Sequence, residues 1–242
     1  MPGLLALVLL LATPLFALAN VGVIELHQRL TTTDRDAGKA VALTLDACGD
    51  GFDRDLIAYL IDRRIPATLF VTRKWLERNP AGIALLKLHP ELFEIEDHGA
   101  NHVPAVIGVG RRVYGIPGAP DLAHLKSEVV GGASAIQQAF GVTPRWYRGA
   151  TAEYDAEAMR AIEAMGYRIA GFSVNADAGA TLPRRVIVAR LNAVRDGDVI
   201  IAHMNKPASD SAEGLATGLD LLVARGFGFV KLGERNLVRA PG

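Results

Sequence analysis

From residue 40 onward, short apolar runs rich in Val, Ile and Phe alternate with amphipathic stretches, and this alternation constrains the fold more than any other feature. It predicts βα units arranged around a parallel sheet. Strands are expected at residues 40–45, 67–71, 92–95, 145–147, 168–172, 199–202 and 228–231. Helical spacing falls at residues 53–63, 122–140, 155–165, 183–194 and 211–225, with Asp53, Asp155 and Ser211 standing where N-caps belong. No internal repeat or low-complexity linker divides the chain, so one domain is expected. Seven sequential βα units point to an α/β barrel or a barrel-like open sheet, whose chemistry belongs where strands end and loops begin.

Composition narrows the function more than the fold. The 242 residues are 50% hydrophobic, enough for one large core, and carry 26 basic and 26 acidic side chains. A net charge of zero without polybasic runs removes the electrostatic footprint of a general nucleic-acid binder. Cys48 is the only cysteine, which excludes an intramolecular disulfide and a Cys-rich structural zinc site. Residues 1–19, MPGLLALVLLLATPLFALA, lack any charged side chain and end in Ala17-Leu18-Ala19, as a secretory signal peptide does. The expected mature domain is then residues 20–242, exported to the periplasm or beyond and without a membrane span. An uncleaved anchor is the competing reading, although the run is shorter than the ~20 residues a spanning helix needs.

Three polar clusters fall at strand ends. In the first, Thr44-Leu45-Asp46-Ala47-Cys48-Gly49-Asp50-Gly51-Phe52-Asp53, an acidic residue closes an apolar run and small residues follow it. Asp53 suits a helix cap, whereas Asp46 lies too early to be one. The second, Glu94-Ile95-Glu96-Asp97-His98-Gly99-Ala100-Asn101-His102, sets two histidines four apart; on one helical turn they would share a face, as two ligands of one metal ion do. Glu96 and Asp97 could orient a ligand or simply be solvated. The third, Gly197-Asp198-Val199-Ile200-Ile201-Ala202-His203-Met204-Asn205, ends an apolar strand on a histidine. His27, His89 and His124 have flanks typical of surface or helix positions and are assigned no role. The longest irregular stretch, residues 103–120, is long enough to be functional and carries Arg111, Arg112 and Tyr114.

The order Asp46, His98-x-x-x-His102, Pro144-Arg145-Trp146-Tyr147-Arg148-Gly149-Ala150, then His203 resembles the motif series of polysaccharide deacetylases of the NodB-homology type, carbohydrate esterase family 4. The flanking VALTLDACGDGFDRDLIAYLIDRRIPATLFVT and MGYRIAGFSVNADAG also resemble that family, and the similarity runs from Val41 to Leu232. The resemblance implies a single distorted (β/α)7 barrel, a divalent metal that is usually zinc, and hydrolysis of N- or O-acetyl groups on a glycan. It implies Asp46 as the base toward a metal-activated water, His98 and His102 as metal ligands, Arg148 as the holder of Asp46, and His203 as the acid toward the leaving group. Substrate contacts are expected at Tyr114, Trp146 and Asp177, with Asp177 also close enough to serve as the acidic partner of His203.

The departures from the family pattern are specific. Its second aspartate, normally the third metal ligand, is Ala47 here, and the proline of its R-x-P motif is Ala150. Asp50 is the first choice to replace the missing ligand; Asp46 could instead ligate and leave the base role to Asp50. A Cys48 thiolate would suit zinc, but a buried structural thiol pointing into the core is an equal alternative. The leading expectation is thus an exported, metal-dependent hydrolase acting on an acetylated carbohydrate or small amide. A metal-independent or differently ligated amidohydrolase on the same fold, or a silent glycan-binding protein, are the alternatives.

Overall fold

A computed structural model describes residues 22–31, 38–49 and 51–240. The expected export segment at residues 1–19, and Asp50, lie outside them. The centre is the strand Lys39–Ala47, flanked in parallel by Ala67–Val71 and Val199–His203. The sheet continues through Phe93–Asp97, Trp146–Tyr147 and Arg168–Ile169 on one side and through Val174–Asn175 on the other, giving seven curled parallel strands. An eighth, Phe227–Val230, pairs with the first half of the central strand. The backbone Gln28 N–H donates to the Phe172 carbonyl at 2.9 Å, and Phe172 N–H to the Leu26 carbonyl at 3.1 Å, so the chain around residues 24–30 lies across the gap between the two edge strands. This is the distorted (β/α)7 barrel.

Strand periodicity divides the core into two layers. Val41, Leu43, Leu45 and Ala47 pack outward among Leu56, Leu60, Leu215 and Leu219 of the helices. Ala42 points inward with Phe70, Trp146, Phe172 and Ile201. Thr44 and Asp46 share that inward parity, which carries a carboxylate to the barrel mouth.

The helices are Arg54–Asp62, Arg73–Arg78, Pro80–Lys87, Leu122–Phe140, Ala156–Ala164, Arg184–Asn192 and Ser211–Ala224. Asp53 and Asp155 cap as expected, accepting from the Leu56 and Ala158 amides at 3.0 and 2.8 Å. Ser211 does not: it is the first helical residue, Asp210 precedes it, and its hydroxyl donates to Asp177 at 2.9 Å. Arg73–Arg78 and Pro80–Lys87 were not expected, since each is too short to show a helical period. The stretch at 103–120 is less irregular than its composition suggests, holding a hairpin of Arg112–Val113 with Ile116–Pro117. Among the described residues no helix is long and apolar enough to cross a membrane.

Candidate metal and hydrolytic site

The carboxy-terminal ends of four strands bring the sequence-selected residues together. Asp46 and His203 are register partners on adjacent strands. Arg148, following Trp146–Tyr147, is fully buried and donates through Nη1 to Asp46 Oδ1 at 2.9 Å and to Thr44 Oγ1 at 2.8 Å. Its other nitrogens donate to the carbonyls of Ala170 and Gly171, and its guanidinium lies 4.2 Å over the Phe70 ring. A buried cation held on every side fixes Asp46 in one orientation and keeps it ionised. Burial would raise the Asp46 pKa, but Arg148, His98 and His203 outweigh it and the value falls below the ordinary 3.8.

His98 follows Phe93–Asp97 and is buried. Its Nδ1 lies 2.7 Å from the Arg148 carbonyl, an acceptor, so Nδ1 carries a proton and Nε2 faces the site. Around Nε2 stand Cys48 Sγ at 3.4 Å and Asp46 Oδ2 at 3.8 Å. The His102 ring centroid is 5.0 Å from that of His98. Cys48, His98 and His102 each offer a donor atom, all within 4.8 Å of one another.

The two histidines meet without a helix. Residues 98–103 form a loop, Gly99 has φ 86° and His102 itself has φ 63°, a left-handed conformation uncommon for a side-chain-bearing residue. The loop is held by its surroundings. Gly99 and Ala100 carbonyls accept from the Arg73 and Lys74 amides at the start of the short helix Arg73–Arg78. Glu128 Oε1, on Leu122–Phe140, accepts from the Asn101 and Val103 amides at 2.8 and 3.0 Å. At Gly132 an added Cβ would strike Asp97 Oδ1 and the Gly99 carbonyl, so this helix approaches the loop only because that position lacks a side chain.

Cys48 does not point into the helix-packed core. Ala47 occupies that layer, and Cys48, two residues beyond Asp46, shares the inward parity of Asp46 and meets His98. Burial alone would raise its thiol pKa; the imidazoles of His98, His102 and His203 overcome this and hold it well below 9.0. Burial likewise disfavours the imidazolium of His98, but Asp46 and Cys48 push its pKa up to about 9. Two acidic groups against clustered imidazoles create a demand for positive charge that protons meet here and that a divalent cation would also meet. Thiolate and imidazole donors fit such an ion, with Asp46 close by.

On the opposite side of Asp46, His203 Nδ1 is 2.9 Å from Asp177 Oδ1, and the His203 amide donates to Asp177 Oδ2 at 2.9 Å. Desolvation would lower the His203 pKa; the Asp177 carboxylate and the Cys48 thiol raise it well above 6.5. Asp177 is 0% exposed, so it meets His203 and Ser211 and not a ligand. Trp146 is likewise buried, its ring 3.9 Å beneath the Arg168 guanidinium, and cannot reach a substrate. Tyr114 is 79% exposed with its hydroxyl on Glu153. Arg111 is committed to Asp155 at 2.5 Å and Arg112 to the Gly115 carbonyl at 2.6 Å. Glu96 and Asp97 are buried rather than solvated: Glu96 accepts from the Arg145 and Trp146 amides, and Asp97 from Gly99.

Glu128 and Thr44 are positioning residues that sequence reasoning missed. Glu128 left a readable trace as an acidic residue inside the apolar face formed by Leu125, Val129 and Gly132. Thr44, inside an apolar strand, left none.

Among solved structures, the chain resembles a family 4 carbohydrate esterase from Streptomyces lividans in complex with acetate: 20% identity and TM-score 0.65, covering 79% of this chain and 91% of that one. It also resembles the carbohydrate esterase domain of a multidomain xylanase from the hindgut metagenome of Trinervitermes trinervoides, at 18% identity and TM-score 0.67 over 81% of this chain and 89% of that one. A family 4 pseudoenzyme from Bacillus anthracis matches at 16% identity and TM-score 0.66 over 82% of this chain and 65% of that one. These similarities establish the fold. No curated protein sequence matches the chain. The family model for polysaccharide deacetylase matches residues 33–170, more than half of the chain. The chain therefore belongs to the polysaccharide deacetylase family, hydrolases that act on amide or ester bonds of acetylated polysaccharides.

Proposed function

We propose that the protein is an exported, metal-dependent deacetylase that removes acetyl groups from an N- or O-acetylated glycan. The observation that carries this reading is the convergence of Asp46, His98, His102, Arg148 and His203 at one barrel mouth. A fold shared with a pseudoenzyme does not supply activity, so the reading rests on these side chains.

His98 and His102 would hold the metal, which when bound supplies Lewis acidity and lowers the pKa of a water molecule. Asp46, kept ionised by Arg148, accepts a proton from the attacking water. His203, kept protonated by Asp177, donates a proton from Nε2 to the leaving nitrogen or oxygen. Atoms balance as one water consumed and one acetate and one amine or alcohol formed. Tyr114 is exposed and is kept as a proposed substrate contact.

The test is acetate release from a panel of acetylated glycans by the purified full chain, together with metal analysis. One bound divalent ion is expected, and His98→Ala should lose both metal and turnover. Metal-free protein with turnover unaffected by that substitution overturns the proposal. Export is tested by amino-terminal sequencing of the mature protein, expected to start at Asn20.

A second reading has one observation in its favour: Cys48 lies within the electrostatic reach of His203, and Asp177 backs His203. A thiolate so placed could act as a nucleophile without metal. Turnover that survives exhaustive chelation and is lost in Cys48→Ser would favour this reading.

A further inference from the structure

We propose that Cys48 is the third metal ligand, replacing the carboxylate that Ala47 lacks, and that the centre is a two-histidine, one-thiolate site selective for zinc-like ions over magnesium or manganese. This rests on the reading of His98 and His102 as ligands of one ion.

Three observations support it. First, strand parity puts position 47 in the helix-facing core and position 48 on the inward side with Asp46, so the chain presents a donor one residue later than the family pattern. Second, the 3.4 Å separation of Cys48 Sγ and His98 Nε2 is close to the roughly 3.6 Å that bond lengths of about 2.3 Å to sulfur and about 2.1 Å to nitrogen set at a tetrahedral corner. Third, His98 Nδ1 is engaged by the Arg148 carbonyl, which leaves Nε2 as the ring nitrogen that faces Cys48 Sγ and would ligate an ion there. Arg148 engages Asp46 Oδ1, and Oδ2 lies 3.8 Å from His98 Nε2. Among the described residues, the donor atoms that all lie within 4.8 Å of one another are those of Cys48, His98 and His102 alone, which leaves a fourth position for water next to Asp46, as a catalytic zinc site requires. Thiolate and imidazole together favour zinc, cobalt or cadmium; the carboxylate-rich sites that suit magnesium and manganese are a different donor set.

The experiment titrates the full-length apoprotein with cobalt(II), followed by absorption spectroscopy, and repeats it with Cys48→Ser and Cys48→Asp. Equilibrium unfolding checks that each variant folds. The wild type should show a near-ultraviolet sulfur-to-cobalt charge-transfer band. Cys48→Ser should lose that band and bind zinc at least roughly a hundredfold more weakly, more than the loss expected for an outer partner. Cys48→Asp should bind without the band and with reduced preference for zinc over manganese. Wild-type cobalt bound with no such band, and unchanged in Cys48→Ser, overturns the thiolate ligand while leaving the His98 and His102 site intact. No metal bound by the wild type, with His98→Ala also silent, overturns the metal reading itself. Turnover by chelated wild type that vanishes in Cys48→Ser also overturns the ligand role, and assigns Cys48 as the nucleophile.

Discussion

Arg148 and Asp46 form a buried ion pair at 2.9 Å in which the cation has no exposed surface and the carboxylate almost none. Replacing one partner leaves the other charged in a desolvated site, which costs more than the pair itself contributes. Arg148→Met is expected to destabilise the fold by about 3 to 5 kcal/mol in urea unfolding. The double change Asp46→Asn with Arg148→Met should recover part of that loss. An additive double variant would show that the two side chains are not coupled.

The His203 and Asp177 pair makes stability depend on pH in a defined direction. Asp177 sits below its ordinary 3.8 and His203 well above its ordinary 6.5. A raised imidazole contributes stability that is fully present below the unfolded histidine value and is lost as pH rises through the folded value; the depressed carboxylate contributes above its unfolded value and loses it in acid. Asp177→Asn should therefore be most destabilising between those limits and cost less at strongly alkaline pH. NMR titration of His203 should show its pKa falling, and the alkaline limb of the turnover profile should move to lower pH with it.

Glu96 is a carboxylate shifted in the direction opposite to Asp177, so its pH dependence runs the same way as that of His203. Burial and the neighbouring Glu94 raise its pKa to about 7, against the stabilising amides of Trp146 and Arg145. The folded state then binds a proton that the unfolded state releases between about 4.5 and about 7, so stability rises as pH falls through that window. Glu96→Gln should flatten this rise in denaturation midpoints measured from pH 5 to pH 8. A wild-type curve already flat across that range would contradict the assignment.

Glu128 and Gly132 support the loop that carries His98 and His102, the proposed metal ligands. Glu128→Ala leaves the Asn101 and Val103 amides unsatisfied, and Gly132→Ala drives a methyl into Asp97 and Gly99. Metal affinity should fall about 10- to 100-fold in the first. The second should lose about 1 to 3 kcal/mol of stability from overpacking. Calorimetric zinc titration and thermal unfolding measure the two separately, and unchanged values in both would remove the loop-support role.

The sequence was most legible where local chemistry decides the structure. The apolar run through Val41, Leu43 and Leu45 marks the central strand, and Asp53 and Asp155 are local helix caps. The strand end brings Asp46 and His203 into register because the sheet order follows the βα alternation. What depended on distant contacts was harder to read. The spacing of His98 and His102 correctly pairs them, but their proximity comes from a left-handed loop tied to Glu128 and not from a helical turn. Trp146 sits in a strand of only two residues and lies under Arg168, so its residue type gave no sign of burial. Cys48 needed the parity of the whole strand, which is fixed only once Ala47 is known to pack against the helices.

Because Asp46 and His203 are opposed on neighbouring parallel strands, their backbones are separated by the roughly 4.8 Å repeat of hydrogen-bonded β structure. Loops above the barrel can lengthen, shorten or change composition without altering that interval. In the reaction proposed above, the spacing between the proton acceptor Asp46 and the proton donor His203 is therefore a property of the sheet and not of the loops that surround it.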